Sequence, residues 1–151
     1  MKQSIFNYRT PALNEKNISI AMLILRVGVG LLMLTHGLGK LETLFNGEPI
    51  QFKDPIGVGP TASLILAVFS EVLCSILLII GLSTRFAAIP LFITMIVAAL
   101  IVHANDGFGR QELPLLYAAA YVVIAIIGAG KYSLDYWITK KKYIIHSNNN
   151  F

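Results

Sequence analysis

Charged residues are scarce in this sequence: they fill 13% of its 151 positions, against about 25% in an average soluble domain. This scarcity argues against a soluble globular protein. The single cysteine, Cys74, excludes an internal disulfide and a C-x-x-C redox pair, so any thiol exchange would need cysteines from another protein. The net charge is only +4, and the basic residues lie between apolar segments rather than in one patch, which argues against a nucleic-acid partner.

Long apolar segments take the place of the missing charge. Hydrophobic residues make up 56% of the chain and fall into four segments of about 20 residues, the length a helix needs to cross a bilayer. In lipid the backbone must satisfy its own hydrogen bonds, so each segment should be helical. We predict an all-α integral membrane four-helix bundle with spans at about 18–38, 61–82, 86–104 and 113–130. The membrane domain covers residues 18–138, after an N-terminal segment of residues 1–17 and before a basic tail of residues 139–151.

The basic residues are concentrated on one side of the predicted bundle. That side carries only Glu15 and Asp135 as acids, whereas the opposite loops hold more acidic than basic residues. Its basic residues are Lys2, Arg9, Lys16, Arg85, Lys131, Lys140, Lys141 and Lys142. The positive-inside rule therefore predicts that both termini are cytoplasmic, as an even number of spans requires. No small-residue cleavage site follows the first span, so we expect it to be an uncleaved helix.

Two charged side chains, Arg26 and Glu71, lie deep inside predicted spans. Arg26 is eight residues into the first span from its cytoplasmic side, and Glu71 is eleven residues from the cytoplasmic end of the second. Their depths are about 12 and 16 Å at 1.5 Å per residue, within side-chain reach of each other. We predict an intramembrane polar site in which the two form a buried ion pair. The pair either fixes only the packing of the two helices or also binds a headgroup, a quinone carbonyl or a proton; the alternative is that the two do not meet.

A second polar cluster is predicted at the outer mouth of the bundle. His36 and Lys40 end the first span, His103 ends the third, and Glu112 opens the fourth. These residues are either ordinary helix-end polar groups or a site of proton handling, because histidine titrates near neutral pH. Two histidines on separate helices could bind haem or a metal. No third ligand is evident in the sequence, so haem is not expected and no metal site is predicted.

The fourth span carries Tyr117 and Tyr121 one helical turn apart. They predict either the polar wall of a pocket or part of an aromatic belt at the outer interface. The glycine-containing stretches at 37–40 and 57–59 lack the preceding strand and the spacing of a phosphate loop. The residues alone therefore identify no catalytic group and no reaction.

The ordered set of motifs resembles the DoxX family of small four-helix bacterial membrane proteins over about residues 20–137. The resemblance rests on RVGVGLLMLTHGLGKL in the first span, GP at 59–60, Glu71 followed by LLIIGLSTRFAA, the glutamate of GRQELPLLY, and GAGKYSLDYW. The last stretch lacks the proline that the family often has between its first two glycines. The family motif positions that the resemblance implies are Arg26, Gly30, Gly37, Lys40, Glu71, Gly81, Arg85, Glu112, Ser133 and Asp135.

The resemblance also implies a role, because better-known members are membrane subunits of oxidoreductase systems, among them the thiosulfate:quinone oxidoreductase type and assemblies linked to thiol and superoxide stress. It implies a bacterial inner (cytoplasmic) membrane protein of a quinone-linked or redox-stress system. We predict a quinone near Arg26 and Glu71, with electrons supplied by a protein partner; a homo-oligomer is the other assembly considered. The alternatives are a non-catalytic anchor or assembly factor for a partner protein and, ranked lowest, a small-solute or proton transporter.

Overall fold

The computed structural model describes residues 14–148, with side chains for residues 14–141. Four of its five helices are long and apolar enough to cross a membrane, by length and composition. The helices are α1 (Glu15–Phe45), α2 (Pro60–Ile80), α3 (Thr84–Val102), α4 (Phe108–Ile127) and α5 (Leu134–Asn148). No strand occurs between residues 14 and 148. The predicted all-α class with four candidate membrane spans is confirmed.

Parts of the predicted flanking segments, residues 1–13 and 149–151, lie outside the described residues, and so do the basic residues Lys2 and Arg9. All four spanning helices begin before the apolar segments that predicted them, but α2, α3 and α4 end two to three residues before the predicted ends. Helix α1 begins three residues before the predicted start and ends seven residues beyond the predicted end, because a helix continues past the hydrocarbon wherever capping allows. Its first turn is capped by the side chain of Asn14, which accepts a hydrogen bond from the backbone N–H of Lys16 at 3.0 Å.

Helix α1 packs closely against α2 through two glycines. A Cβ atom placed on Gly37 would lie 2.8 Å from the carbonyl carbon of Glu71, and one placed on Gly30 would lie 3.3 Å from the carbonyl oxygen of Ser75. Small residues allow such close backbone approach between membrane helices. These contacts also fix the antiparallel register, with Gly37 level with Glu71.

The interior of the bundle is apolar, and its outer surface is apolar as well. The buried core cluster consists of Met22, Met33, Cys74, Leu78, Ala87, Ala88, Leu91, Met95, Tyr117, Ala118, Tyr121 and Ile124. Large hydrophobic side chains such as Ile24, Phe86 and Ile126 are exposed on the outside. Soluble monomers rarely expose so much contiguous apolar surface, so this surface fits contact with lipid chains.

Two of the spanning helices contain a π-helical turn. The turn in α2 covers Phe69–Cys74, and the turn in α3 covers Ala98–Val102. A π-helical turn inserts extra backbone into an α-helix, changes the direction of the side chains around it, and is frequent at functional sites. Both turns contribute residues to the wall of one cavity, which is described below.

Candidate functional site

The structure does not join Arg26 to Glu71, so the predicted ion pair is wrong. The guanidinium Nη1 of Arg26 donates hydrogen bonds to the carbonyl oxygens of Leu78 at 3.0 Å and of Ile79 at 2.7 Å. Its Nη2 donates to the carbonyl oxygen of Tyr132. The last carbonyls of a helix have no partner within that helix, and Arg26 supplies one for the end of α2.

Glu71 pairs with Lys40 of α1 instead. The depth estimate failed because it assumed that the first two spans begin at the same level. The contact between Gly37 and Glu71 shows that Arg26, eleven residues before Gly37 on α1, lies about 16 Å away along the helix axis. That distance is too long for a direct contact between the two side chains.

A cluster at the end of the bundle where α1 begins, here called the termini cluster, comprises Arg26, Gly81, Ser133 and Asp135. The carboxylate of Asp135 accepts hydrogen bonds from the backbone N–H groups of Ser83 at 2.7 Å and Thr84 at 2.9 Å, and so caps the start of α3. The N–H of Asp135 donates to the carbonyl oxygen of Gly81 at 2.9 Å. The cluster therefore ties together the end of α2, the start of α3 and the start of α5.

Gly81 is the residue that permits this arrangement. It is the C-cap of α2, and its φ of +72° is left-handed, as is typical of a glycine that ends a helix. A Cβ atom there would lie 2.5 Å from Nη1 of Arg26 and 2.6 Å from Cβ of Ser133. Four of the motif positions implied by the family resemblance thus meet in one structural clasp.

A cavity of about 610 Å³ lies between α2, α3 and the connection from α1 to α2; we call it the α2–α3 cavity. This volume is in the range of small-molecule sites, which combine mostly apolar walls with a few polar groups. The polar side chains on its wall are Lys40, Gln51, Lys53, Ser63, Ser70, Glu71, Thr94 and His103. Aromatic and aliphatic side chains, including Phe52, Phe69 and Ile93, form the rest.

An ion pair between Lys40 and Glu71 lies on this wall. The side chain of Glu71 is 2% exposed and that of Lys40 is 32% exposed. Oε1 of Glu71 accepts a hydrogen bond from Nζ of Lys40, whereas Oε2 is buried without a hydrogen-bond partner among the described residues. Glu71 is therefore a buried carboxylate with one oxygen paired to Lys40 and the other without a hydrogen-bond partner among the described residues.

A second polar contact on the cavity wall links α2 to α3. Oγ1 of Thr94 is 2.9 Å from Oγ of Ser70 and 2.9 Å from the carbonyl oxygen of Pro90. Pro90 has no N–H of its own and interrupts the hydrogen-bond ladder of α3 at this height. Ser70 lies in the same π-helical turn of α2 as Glu71, and both residues line the cavity.

The predicted outer-mouth cluster divides in the structure. Lys40 and His103 lie on the cavity wall, whereas His36 and Glu112 are exposed and do not line it. Nδ1 of His103 is 2.7 Å from Oδ2 of Asp106, and this hydrogen bond holds the pKa of Asp106 below its ordinary value. No group of three or more His, Cys, Asp or Glu side chains suited to a metal ion occurs among the described residues.

Tyr117 and Tyr121 lie in the core of the bundle. Their ring centroids are 6.2 Å apart and the rings are stacked. Both side chains are buried, so they do not form an interfacial belt, and neither belongs to the wall of the α2–α3 cavity. The hydroxyl of Tyr121 is buried without a hydrogen-bond partner within the part of the chain that the structure describes.

The connection between α1 and α2 covers the cavity and is anchored by Asp54. Oδ1 of Asp54 accepts hydrogen bonds from Oγ of Ser63 at 2.7 Å and from N of Val58 at 3.0 Å, and Oδ2 accepts one from N of Gly59 at 2.7 Å. The Ser63 bond, together with these backbone amides, holds the pKa of Asp54 below its ordinary value of 3.8. The ionised carboxylate therefore stabilises the cover.

Replacing Asp54 with asparagine is expected to loosen this cover. Because the folded pKa is lowered, the contribution of Asp54 is fully present above about pH 4 and is lost as the pH falls through the folded value. Amide hydrogen exchange at Val58 and Gly59 should show protection at neutral pH that decreases in acid, and weaker protection in Asp54→Asn at both. Glu48→Gln, in the same connection, is the control; equal protection in all three proteins would contradict the anchoring role.

Comparisons with known proteins agree with this architecture. The DoxX family model matches residues 21–104, which include Arg26, Lys40 and Glu71. The Bacillus subtilis protein named "Putative oxidoreductase CatD" is 29% identical over 129 residues, covering 85% of this chain and 94% of that protein. Inner membrane protein YphA of Escherichia coli is 31% identical over 126 residues, covering 77% of this chain and 89% of that protein.

A third relative is an uncharacterized protein of Haemophilus influenzae, 39% identical over 79 residues that cover 50% of this chain and 52% of that protein. No solved structure matches the chain. The family model covers more than half of the sequence, and YphA matches most of it, so the resemblance seen in the motifs is confirmed. This multi-span membrane protein belongs to the DoxX family.

Proposed function

We propose that this DoxX-family membrane protein serves a quinone-linked redox system by binding a quinone-type ring, oxidised or reduced, in the α2–α3 cavity beside Lys40 and Glu71. The observation that carries the proposal is an ion pair between the half-buried Lys40 and the buried Glu71 on the wall of a mostly apolar cavity between two candidate membrane spans. Charged groups at membrane depth are costly and are functional candidates by default. The sequence predicted a quinone near Arg26 and Glu71; in this proposal the ligand lies near Lys40 and Glu71 instead.

The size and lining of the cavity suit this class of ligand. A volume of about 610 Å³ accommodates a substituted six-membered ring together with the first part of its tail. Phe52 and Phe69 supply aromatic surface for the ring, and Lys40 with Glu71 supplies polar contacts for a ring oxygen. Most of the remaining wall is aliphatic, as a lipophilic ring requires.

The cavity is also placed where a lipophilic ligand can enter from the bilayer. Phe69 of α2 is 47% exposed and Ile93 of α3 is 53% exposed, and both line the cavity. The opening between α2 and α3 therefore faces the surface that fits lipid contact. A ligand could keep its tail among the lipid chains while its ring reaches Glu71.

Electron transfer in this proposal depends on a partner protein that supplies or accepts electrons. One relative carries an oxidoreductase name, which supports a redox setting for this chain. If both termini are cytoplasmic, as predicted from the basic residues, the α1–α2 connection and the ring site lie toward the outer face of the membrane.

Narrowing the cavity tests the proposal. Ala98→Phe adds a ring to the cavity wall at a half-buried position, and is expected to weaken binding of a short-tailed benzoquinone at least about tenfold. Ala119→Phe makes the same change at an exposed position of α4 outside the wall, and should bind as tightly as the unaltered protein. Binding is measured by calorimetry on protein in lipid nanodiscs. Equal binding by both variants, or no binding by the unaltered protein, would overturn the proposal.

A further inference from the structure

Helix α5, which follows the last span, combines an exposed apolar face with a cluster of lysines. We infer that α5 is a docking surface for the anionic phospholipids of the bilayer leaflet at the end of the bundle where α1 begins. The surface comprises Leu134, Trp137, Ile138, Lys140 and Lys141. It is built from other residues than the wall of the α2–α3 cavity, so the inference does not depend on the proposed function.

The start of α5 is fixed at the level where two spans end. The carboxylate of Asp135 caps α3 through the N–H groups of Ser83 and Thr84, and the N–H of Asp135 donates to the carbonyl oxygen of Gly81. Gly81 directly follows α2, and Thr84 begins α3. The first turn of α5 therefore lies at the ends of two apolar helices, where the headgroups of a surrounding bilayer begin.

One face of α5 is apolar and exposed. Leu134, Trp137 and Ile138 lie on this face at helical spacing, and the side chain of Trp137 is 62% exposed. Tyr132 and Tyr136, beside the same turn, are exposed as well. Tryptophan and tyrosine are enriched at membrane–water interfaces, where their rings lie at the level of the headgroups. A helix with such a face buries its apolar area when it lies in the interface.

The lysines determine which lipids suit this helix. Lys140 and Lys141 are exposed, and Lys142 follows them in the sequence. Asp135 is the only acidic residue of α5, and its carboxylate is occupied in capping α3. Nζ of Lys141 lies 5.5 Å from the centroid of the Trp137 ring, so charge and apolar surface are adjacent. Lysine clusters next to a membrane helix attract anionic headgroups.

The apolar surface of the bundle continues up to α5, which favours a lipid over a protein partner. Phe86 of α3 and Ile127 of α4 are exposed, and with Tyr136 they line a cavity of about 690 Å³ between α5 and the ends of α3 and α4. The lipid-contact surface of the spans thus reaches the helix that carries the lysines. An acidic protein would match the lysines alone, whereas an anionic bilayer matches both the lysines and the apolar face.

The chain has a single tryptophan, Trp137, whose fluorescence therefore reports on α5 alone. The full chain is placed in nanodiscs of equal parts phosphatidylglycerol, which is anionic, and phosphatidylcholine, which is zwitterionic. Only one of the two lipids carries bromine, a fluorescence quencher, on its acyl chains near the headgroup. At low salt we expect brominated phosphatidylglycerol to quench Trp137 at least about twofold more than brominated phosphatidylcholine. The difference should shrink at about 1 M salt, where the Debye length is about 3 Å.

Two pairs of substitutions assign the lipid preference to α5. Lys140→Gln with Lys141→Gln should reduce the difference in quenching by at least about half, and both side chains are exposed, so the fold should survive. Both lipids are compared within one protein, so the loss of the ammonium group near the Trp137 ring affects both measurements equally. Lys53→Gln with Arg110→Gln removes the same charge from exposed positions at the opposite end of the bundle, and should keep the full difference.

The remaining outcomes contradict the inference in distinct ways. Equal quenching of the unaltered protein by the two brominated lipids would overturn the selection of anionic lipid. No quenching by either lipid would place α5 outside the bilayer and overturn the docking surface, leaving an acidic protein as the partner that suits the lysines. A difference that persists in full without Lys140 and Lys141 would show that these lysines do not select the lipid.

Discussion

Replacing Gly37 with alanine is expected to destabilise the protein, whereas replacing Gly39 on the same helix is not. A Cβ atom on Gly37 would lie 2.8 Å from the carbonyl carbon and 2.9 Å from the carbonyl oxygen of Glu71, so the backbones of α1 and α2 would have to separate. A Cβ atom on Gly39 meets nothing within 4 Å. Both changes gain the same helix propensity, so Gly37→Ala should be about 1–3 kcal/mol less stable than Gly39→Ala.

Unfolding of the two variants in mixed detergent micelles measures this difference. A second pair on α1 gives a graded comparison. The new Cβ atom in Gly30→Ala would lie 2.7 Å from Cγ1 of Ile79 but no closer than 3.3 Å to the backbone of α2, at the carbonyl oxygen of Ser75, and that in Gly28→Ala would meet nothing within 4 Å. The Gly30 variant should therefore lose less stability than the Gly37 variant. Equal stability of Gly37→Ala and Gly39→Ala would contradict the close contact between the backbones of α1 and α2 at Gly37.

Replacing Arg26 with methionine is expected to produce the other large loss, of about 3 kcal/mol or more. The change removes the charged donor from the carbonyl oxygens of Leu78 and Ile79, at the end of α2, and from the carbonyl oxygen of Tyr132. The stability of Arg26→Lys should lie between those of the unaltered protein and Arg26→Met, because one ammonium group cannot reproduce the planar set of donors of a guanidinium. Arg85→Met is the control, because that side chain is exposed and has a single long contact of 3.4 Å with the carbonyl oxygen of Ile127.

The same variants distinguish the clasp from the ligand site. Arg26→Lys, if folded, should bind the cavity ligands as the unaltered protein does, because Arg26 lies about 16 Å along α1 from the level of Glu71. Unfolding curves and ligand titrations on one preparation provide both measurements. Equal stability of Arg26→Met and Arg85→Met would show that the termini cluster does not depend on Arg26.

The four spans could be predicted from the sequence because a bilayer demands about 20 apolar residues for each helix. The pairing of Glu71 with Lys40 could not be predicted, because the boundaries of the apolar segments do not reveal how far two packed helices are offset along their axes. A usable signal was the buried stripe of α1, which contains Met22, Arg26, Gly30, Met33 and Gly37 at helical spacing. Lys40, three residues after Gly37, continues that stripe. This spacing indicates that Lys40, and not Arg26, faces the part of α2 that contains Glu71.

Two other features of the site come from tertiary structure. Asp135 caps α3 from a position 51 residues away in the chain, a distance over which no local capping pattern operates. The π-helical turns of α2 and α3 have no residue signature of their own, and they decide which side chains reach the cavity. The cavity is therefore visible only in the packed bundle, although its charged pair, Lys40 and Glu71, is present in the motifs.

If a lipophilic ligand enters between α2 and α3, as proposed, the bilayer rather than water is the reservoir from which the cavity fills. Lipophilic molecules partition into that phase, so occupancy depends on the mole fraction of ligand among the lipids, and a site of modest intrinsic strength can still be filled.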